Sequence, residues 1–316
     1  LPRLIALPNK KGRKMTTAKL FVIVKILLAI ILIGTICAVV LIIYLFKGDI
    51  KARVPGYVKK EYNLSKYEVE NRPVYVMEPK EGVTNDLVIM YVHGGSYVAD
   101  LEKEHWKTCE DIINQLGCTI ILPDYPLTPK YNYKDTINMM ESLYKKVIQQ
   151  VEPSNLVVMG DSAGGGLALA LVEKMGEENI AIPNQTILIS PWLDVRMNNP
   201  KIAEIEENDP MLNKAALKLA GENYAGKDGI DSYLVNPADG PLDKLQNVSI
   251  FTGTYDILNA DVEVLKERAE KVGTKINVYE TEKATHIWLL YKYKDKGNDP
   301  LVQEPYKQMI ELLKNN

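Results

Sequence analysis

The chain has 316 residues, 46% of them hydrophobic and 25% charged, and a formal net charge of −3 at pH 7. Seven positive charges (Arg3, Lys10, Lys11, Arg13, Lys14, Lys19 and Lys25) precede Lys47, and subtracting them from −3 leaves −10 for the remainder. An acidic body of that kind argues against a nucleic-acid ligand and against a polybasic membrane surface.

In chain order, the first predicted element is apolar. Ile26 to Phe46 run for twenty-one residues without a charge, rich in Ile, Leu and Val, enough for roughly 31 Å of helix and therefore for a bilayer. Phe46 is followed by Lys47-Gly48-Asp49 with no A-x-A site, so the segment reads as an uncleaved single-pass anchor in the cell membrane and not as a signal peptide. No acidic residue stands before Lys47, which keeps residues 1–25 in the cytoplasm and the rest of the chain outside. Counted from Met15, only Lys19 and Lys25 oppose Lys47, Lys51 and Arg53, and that asymmetry weakens.

Residues 47–316 suit a single α/β unit with room for a core. Strands are predicted at Leu87, Thr119, Leu156, Thr186, Val248 and Lys275. Helical patterns alternate with them at Glu102 to Gln115, Tyr133 to Val151, Leu167 to Met175, Ala260 to Val272 and Gln303 to Lys314. That alternation implies a mainly parallel sheet with helices on both faces. A charged, helix-prone insertion from Met197 to Leu234 breaks the rhythm and is read, with Gly56 to Tyr67, as a cap over a pocket. Its acids Glu204, Glu206, Glu207 and Asp209 have no histidine or cysteine beside them and read as a solvated face, not a metal site.

Within this framework, Gly160-Asp161-Ser162-Ala163-Gly164-Gly165 lies between the strand at Leu156 and a small-residue helix. Such a turn presents a nucleophilic serine, with glycines where neighbouring chain presses close. A serine hydroxyl needs a base, an orienting acid and donors for the oxyanion. Of the three histidines, only His286 follows Ser162, in the order Ser, acid, His expected of this turn. The strand Val248 to Thr252 breaks at Gly253 and delivers Asp256, the preferred acid; Asp261, a turn into the next helix, is the competitor and reads better as a helix cap. His93-Gly94-Gly95-Ser96-Tyr97 follows the strand Leu87 to Val92 and supplies the amides of Gly94 and Gly95, which with that of Ala163 form an oxyanion hole. His93 reads as a residue that orients this loop. No cofactor or metal is called for by this chemistry.

These residues together resemble the hormone-sensitive-lipase-like family of α/β hydrolases, whose esterases carry H-G-G-G and G-D-S-A-G-G blocks. Asp124-Tyr125-Pro126-Leu127-Thr128-Pro129, Ile189-Ser190-Pro191-Trp192-Leu193-Asp194 and Asp209-Pro210-Met211-Leu212 extend the likeness over about residues 70 to 314. Ser96, Pro126 and Lys130 depart from the family's glycine, arginine and glutamate. The resemblance implies an α/β-hydrolase fold with a helical cap, Ser162, Asp256 and His286 as triad, and Gly94, Gly95 and Ala163 as oxyanion donors. The function expected is a membrane-tethered serine carboxylesterase or lipase acting on uncharged esters, small-molecule or lipid-like. Amide hydrolysis on the same triad, or a tethered binding protein without catalysis, are the alternatives. Trp192, Met211, Leu212 and Trp288 are candidates for an apolar pocket wall, with a core role equally open to each. Cys109 and Cys118 are placed on different layers, which disfavours a disulfide, and the sequons at Asn63, Asn184 and Asn247 read as chance matches.

Overall fold

The structure, a computed structural model, describes residues 52–292 and 299–316. The span expected at Ile26 to Phe46 and the segment before it lie outside the described residues; among those described, no helix is long and apolar enough to cross a membrane.

Eight strands form one sheet: β1 (Tyr62–Val69), β2 (Arg72–Pro79), β3 (Val88–Val92), β4 (Thr119–Pro123), β5 (Leu156–Asp161), β6 (Gln185–Ile189), β7 (Val248–Tyr255) and β8 (Ile276–Thr285), in the spatial order β1-β2-β4-β3-β5-β6-β7-β8. From β4 through β8 every pairing is parallel, while β1–β2 and β2–β4 are antiparallel. Parallel strands buried on both faces read as near-continuous apolar runs; β5 and β6 are buried at every position, with Asp161, Gln185 and Thr186 as their polar members.

Alternate residues feed two cores, as the pleat requires. Met90, Val92, Val158, Leu188 and Ile250 pack on one face with helices α3 (Tyr133–Val147), α4 (Ser162–Glu177) and α7 (Ala260–Lys271). Ile89, Tyr91, Val157, Met159, Ile187, Ile189 and Phe251 pack on the other with α2 (Lys103–Leu116) and α8 (Pro300–Lys314). Helix α2 shows how sequence fixes these elements. Trp106, Cys109, Ile113 and Leu116 fall on one buried stripe, a capping box joins Glu102 to His105, and Gly117 ends the helix at φ +65°.

The first hairpin differs from expectation. Of the segment Gly56 to Tyr67 assigned to the cap, only Gly56–Glu61 is a helix, α1; Tyr62 to Tyr67 belong to β1, paired with β2 at the sheet edge. The insertion from Met197 contains two helices, α5 (Lys201–Glu206) and α6 (Lys214–Ala225). Cys109 and Cys118 are buried free thiols in the same core.

One buried acid stands out on α4. Glu173 is 1% exposed, and neither carboxylate oxygen has a hydrogen-bond partner among the described residues. A side chain on Gly240 would collide with it, so the chain there closes directly over the carboxyl group. Burial pushes its pKa well above the usual carboxylate range, against the lowering influence of Arg268 and with that of Asp239 and Glu177.

Candidate active site

The turn between β5 and α4 is built by close approach. A Cβ at Gly164 would fall on the carbonyl oxygens of Val92 and His93, and one at Gly160 would meet the carbonyl of Gly164 at 2.5 Å. Only glycine lets α4 start so close to β3. Ser162 itself has φ +51°, a conformation costing of order 1–3 kcal/mol for a side-chain-bearing residue and held by its surroundings. Its carbonyl accepts from Trp192 N–H at 2.9 Å.

Ser162, Asp256 and His286 follow β5, β7 and β8, and parallel strands bring those carboxyl ends to one edge of the sheet. Ser162 Oγ lies 2.9 Å from His286 Nε2, and His286 Nδ1 lies 2.9 Å from Asp256 Oδ2. With the Nδ1 proton donated to the carboxylate, Nε2 is left to accept from the serine hydroxyl. Asp256 is fully buried, and its Oδ1 accepts the Leu258 N–H at 2.9 Å. Burial alone would lower the His286 pKa, but Asp256, aided by Asp161 and Asp209, raises it above its ordinary value. The His286 loop is fastened by Ile287, at φ +46°, whose N–H donates to Ser190 Oγ at 3.0 Å.

Asp261, the competing acid, is elsewhere. It accepts from Asn199 Nδ2 at 2.9 Å on α7, and burial brings its pKa up to about 6.

Across from Ser162 runs the loop after β3. A Cβ on Gly94 would come within 2.9 Å of Ser162 Cβ, so this glycine backs directly against the serine. Gly95 has φ +113° and Ser96 φ +53°; no hydrogen bond from the Gly94 or Gly95 amide occurs among the described residues. Ala163 is the second residue of α4, where helix N–H groups have no partner within the helix. His93 Nδ1 donates to the Gly94 carbonyl at 2.7 Å, its ring stacks on Tyr125 at 4.3 Å, and Tyr125 Oη donates to the His93 carbonyl at 2.6 Å. Burial holds the His93 pKa down to about 3, so the ring is neutral and serves the loop.

Asp161, Tyr91 and His105, to which the motifs assign no role, complete the surroundings, together with Asp209, which reads in the sequence as part of a solvated acidic face but instead accepts backbone amides. Asp161, fully buried, accepts from Tyr91 Oη at 2.8 Å and faces His105 Nε2 at 3.5 Å. Its place beside the serine was visible in the motif; its partners were not. Asp209 accepts the Ile257 N–H at 3.0 Å, one residue past Asp256.

The four candidates for a pocket wall divide. Trp192 is fully buried with Nε1 donating to the Asp194 carbonyl at 3.1 Å, and Trp288 is 4% exposed with Nε1 donating to the Leu301 carbonyl at 3.0 Å. Both are closed into the cores instead of standing on an open wall, because their apolar rings find complete packing there and their N–H groups internal acceptors. Met211 is 43% exposed and Leu212 half-buried, leaving surface to offer a ligand. Among the described residues, no group of three His, Cys, Asp or Glu side chains could hold a metal ion.

A sequence profile for a family described as having the alpha/beta hydrolase fold matches residues 89–290. The chain is similar to an acetyl-hydrolase of Streptomyces hygroscopicus, 26% identical over 64% of this chain and 68% of the relative. It is also similar to an esterase of Acinetobacter venetianus, 27% identical over 60% of this chain and 63% of the relative. Among solved structures it resembles an esterase from the bacterial hormone-sensitive lipase (HSL) family, with a TM-score of 0.73 and 22% identity over 83% of this chain and 86% of that one. At that identity the likeness is one of fold.

Proposed function

Because the chain belongs to the alpha/beta hydrolase fold family, we propose that it is a carboxylic ester hydrolase of the hormone-sensitive-lipase-like kind, with Ser162 as nucleophile, His286 as base and Asp256 as orienting acid. The observation that carries the reading is the unbroken pair of 2.9 Å hydrogen bonds from Ser162 Oγ through His286 to Asp256. The names of the relatives, acetyl-hydrolase and esterase, favour esters over amides.

In this reading Oγ bonds to the ester carbonyl carbon while His286 Nε2 takes the hydroxyl proton. The carbonyl π electrons move onto oxygen, toward the amides of Gly94, Gly95 and Ala163, each worth about 3 kcal/mol to the transition state. Collapse breaks the bond to the alcohol oxygen, which leaves with the proton from Nε2, and the acyl group stays on Ser162. Water, deprotonated by the same nitrogen, attacks the acyl carbon, the acid departs and Ser162 regains its proton. Asp256 keeps its charge throughout and steadies the imidazolium formed in each half. Met211 and Leu212 supply apolar surface for the substrate.

A fluorophosphonate probe should label Ser162 in the wild-type chain, and Ser162→Ala should cut ester turnover by about four to six orders of magnitude. A variant that keeps its activity would refute the mechanism, and matched ester and amide substrates measure the preference between them.

The finer part of the proposal is a tether: Ile26 to Phe46 hold the enzyme in the membrane with the hydrolase domain outside. The full chain should then resist alkaline carbonate extraction and lose its activity to protease added outside intact cells. Release by carbonate would remove the tether and leave the hydrolase reading standing.

A further inference from the structure

Asp256 reaches His286 from a tight turn. Its Oδ2 serves the imidazole and its Oδ1 accepts the Leu258 N–H at 2.9 Å, so the carboxylate can be no better placed than the turn Ile257–Asn259 that it heads. The next amide of that turn, Ile257 N–H, is held at 3.0 Å by Oδ2 of Asp209, 48 positions away in sequence and lying between α5 and α6 of the insertion. The other oxygen of Asp209 accepts two further amides, Met211 N–H at 2.8 Å and Leu212 N–H at 2.9 Å. Glu206 closes the same loop from its far side, taking the Lys214 N–H at 2.7 Å.

One half-buried carboxylate therefore ties together the two parts that a cap would otherwise hold apart: the backbone under the orienting acid and the stretch carrying Met211 and Leu212. We propose that Asp209 is a positioning residue of the hydrolase, fixing the turn that carries Asp256 against His286 and holding the Met211–Leu212 stretch to that same turn. This rests on the triad reading above. Asp209 also adds its negative charge to those of Asp256 and Asp161 around His286, whose Nε2 faces Ser162 Oγ at 2.9 Å, and all three carboxylates favour the imidazolium. A merely structural staple would hold the loop without touching either the acid's placement or that charge.

The test uses the full chain with Asp209→Asn and Asp209→Ala, reading kcat, KM, the pH profile of kcat/KM and the rate of fluorophosphonate labelling at Ser162. Asp209→Ala should lower kcat by up to about 100-fold, the scale of a misplaced catalytic group, and raise KM for apolar esters. Asp209→Asn keeps an oxygen for part of the amide set and should lose less kcat. In both variants the acid limb of kcat/KM should move to lower pH, because removing a negative charge eases deprotonation of His286. Should Asp209→Ala fail to fold, the limb shift in Asp209→Asn still decides. Wild-type kcat and an unmoved acid limb in a variant whose melting temperature alone has dropped would overturn the proposal while the triad stands. Failure of the wild-type chain to label at Ser162 would sink both.

Discussion

His286 is 5% exposed, and for a ring so placed desolvation and charge pull in opposite directions. Loss of water favours the neutral imidazole, whereas Asp256 at 2.9 Å, reinforced by Asp161 and Asp209, favours the cation and prevails. A base must be neutral to accept the serine proton. The kcat/KM of the enzyme should therefore rise with pH through a midpoint above 6.5, the ordinary histidine value. Asp256→Asn should move that midpoint downward while lowering kcat by about four orders of magnitude, since the amide no longer fixes the tautomer. A midpoint below 6.5 in the wild-type chain would contradict the balance. His93 shows the other outcome: with Asp161 a weaker influence and His105 opposing, burial wins and the ring stays neutral at a pKa of about 3.

The elements that carry the site differ in how much of them the sequence discloses. The strand–serine–helix unit of β5 and α4 is readable because its demands are local: an apolar run from Leu156 to Met159, then glycines where Val92 and His93 backbone intrudes. The same holds for β3 and its glycine loop, and for Asp256 and His286, which chain order and strand ends single out. The β1–β2 hairpin escapes this reading. Most of β1 is exposed and polar, with only Tyr62 and Val69 buried, so no alternation marks it as a strand. Its two-residue turn, Glu70-Asn71, has φ of +47° and +61° without a glycine to announce it. Asp209 stands out in the sequence as a cap acid and in the stretch Asp209 to Leu212, but its tie to the Asp256 turn is not legible there: that contact is to a backbone amide 48 positions away and leaves no residue pattern. Trp192 and Trp288 are ambiguous by nature, since an apolar ring near a motif suits a wall and a core equally.

At the scale of the whole molecule, the candidate site exists because six parallel strands run to the same edge, so that residues 162, 256 and 286, far apart in sequence, converge there. The loop opposite Ser162 is backed by buried polar contacts, including the Arg72–Asp124 ion pair at 2.7 Å, which sits next to Tyr125 and through it the His93 carbonyl. Rigidity of that order has a hidden cost at Glu173. In the unfolded chain this carboxyl ionises near its ordinary value of about 4.5, whereas inside α4 it keeps its proton far higher. The folded state thus binds a proton that the unfolded state releases. Folding stability should then decline with alkalinity from the ordinary glutamate range up to the folded pKa, by about 1.4 kcal/mol for each pH unit from this group. Glu173→Gln keeps the shape and cannot ionise; its denaturation midpoints, followed from pH 5 to 8, should flatten relative to the parent. Parallel curves for the two would mean that the carboxyl group finds a counter-charge inside the fold. One proton on one side chain would in that way set the alkaline limit within which the enzyme endures.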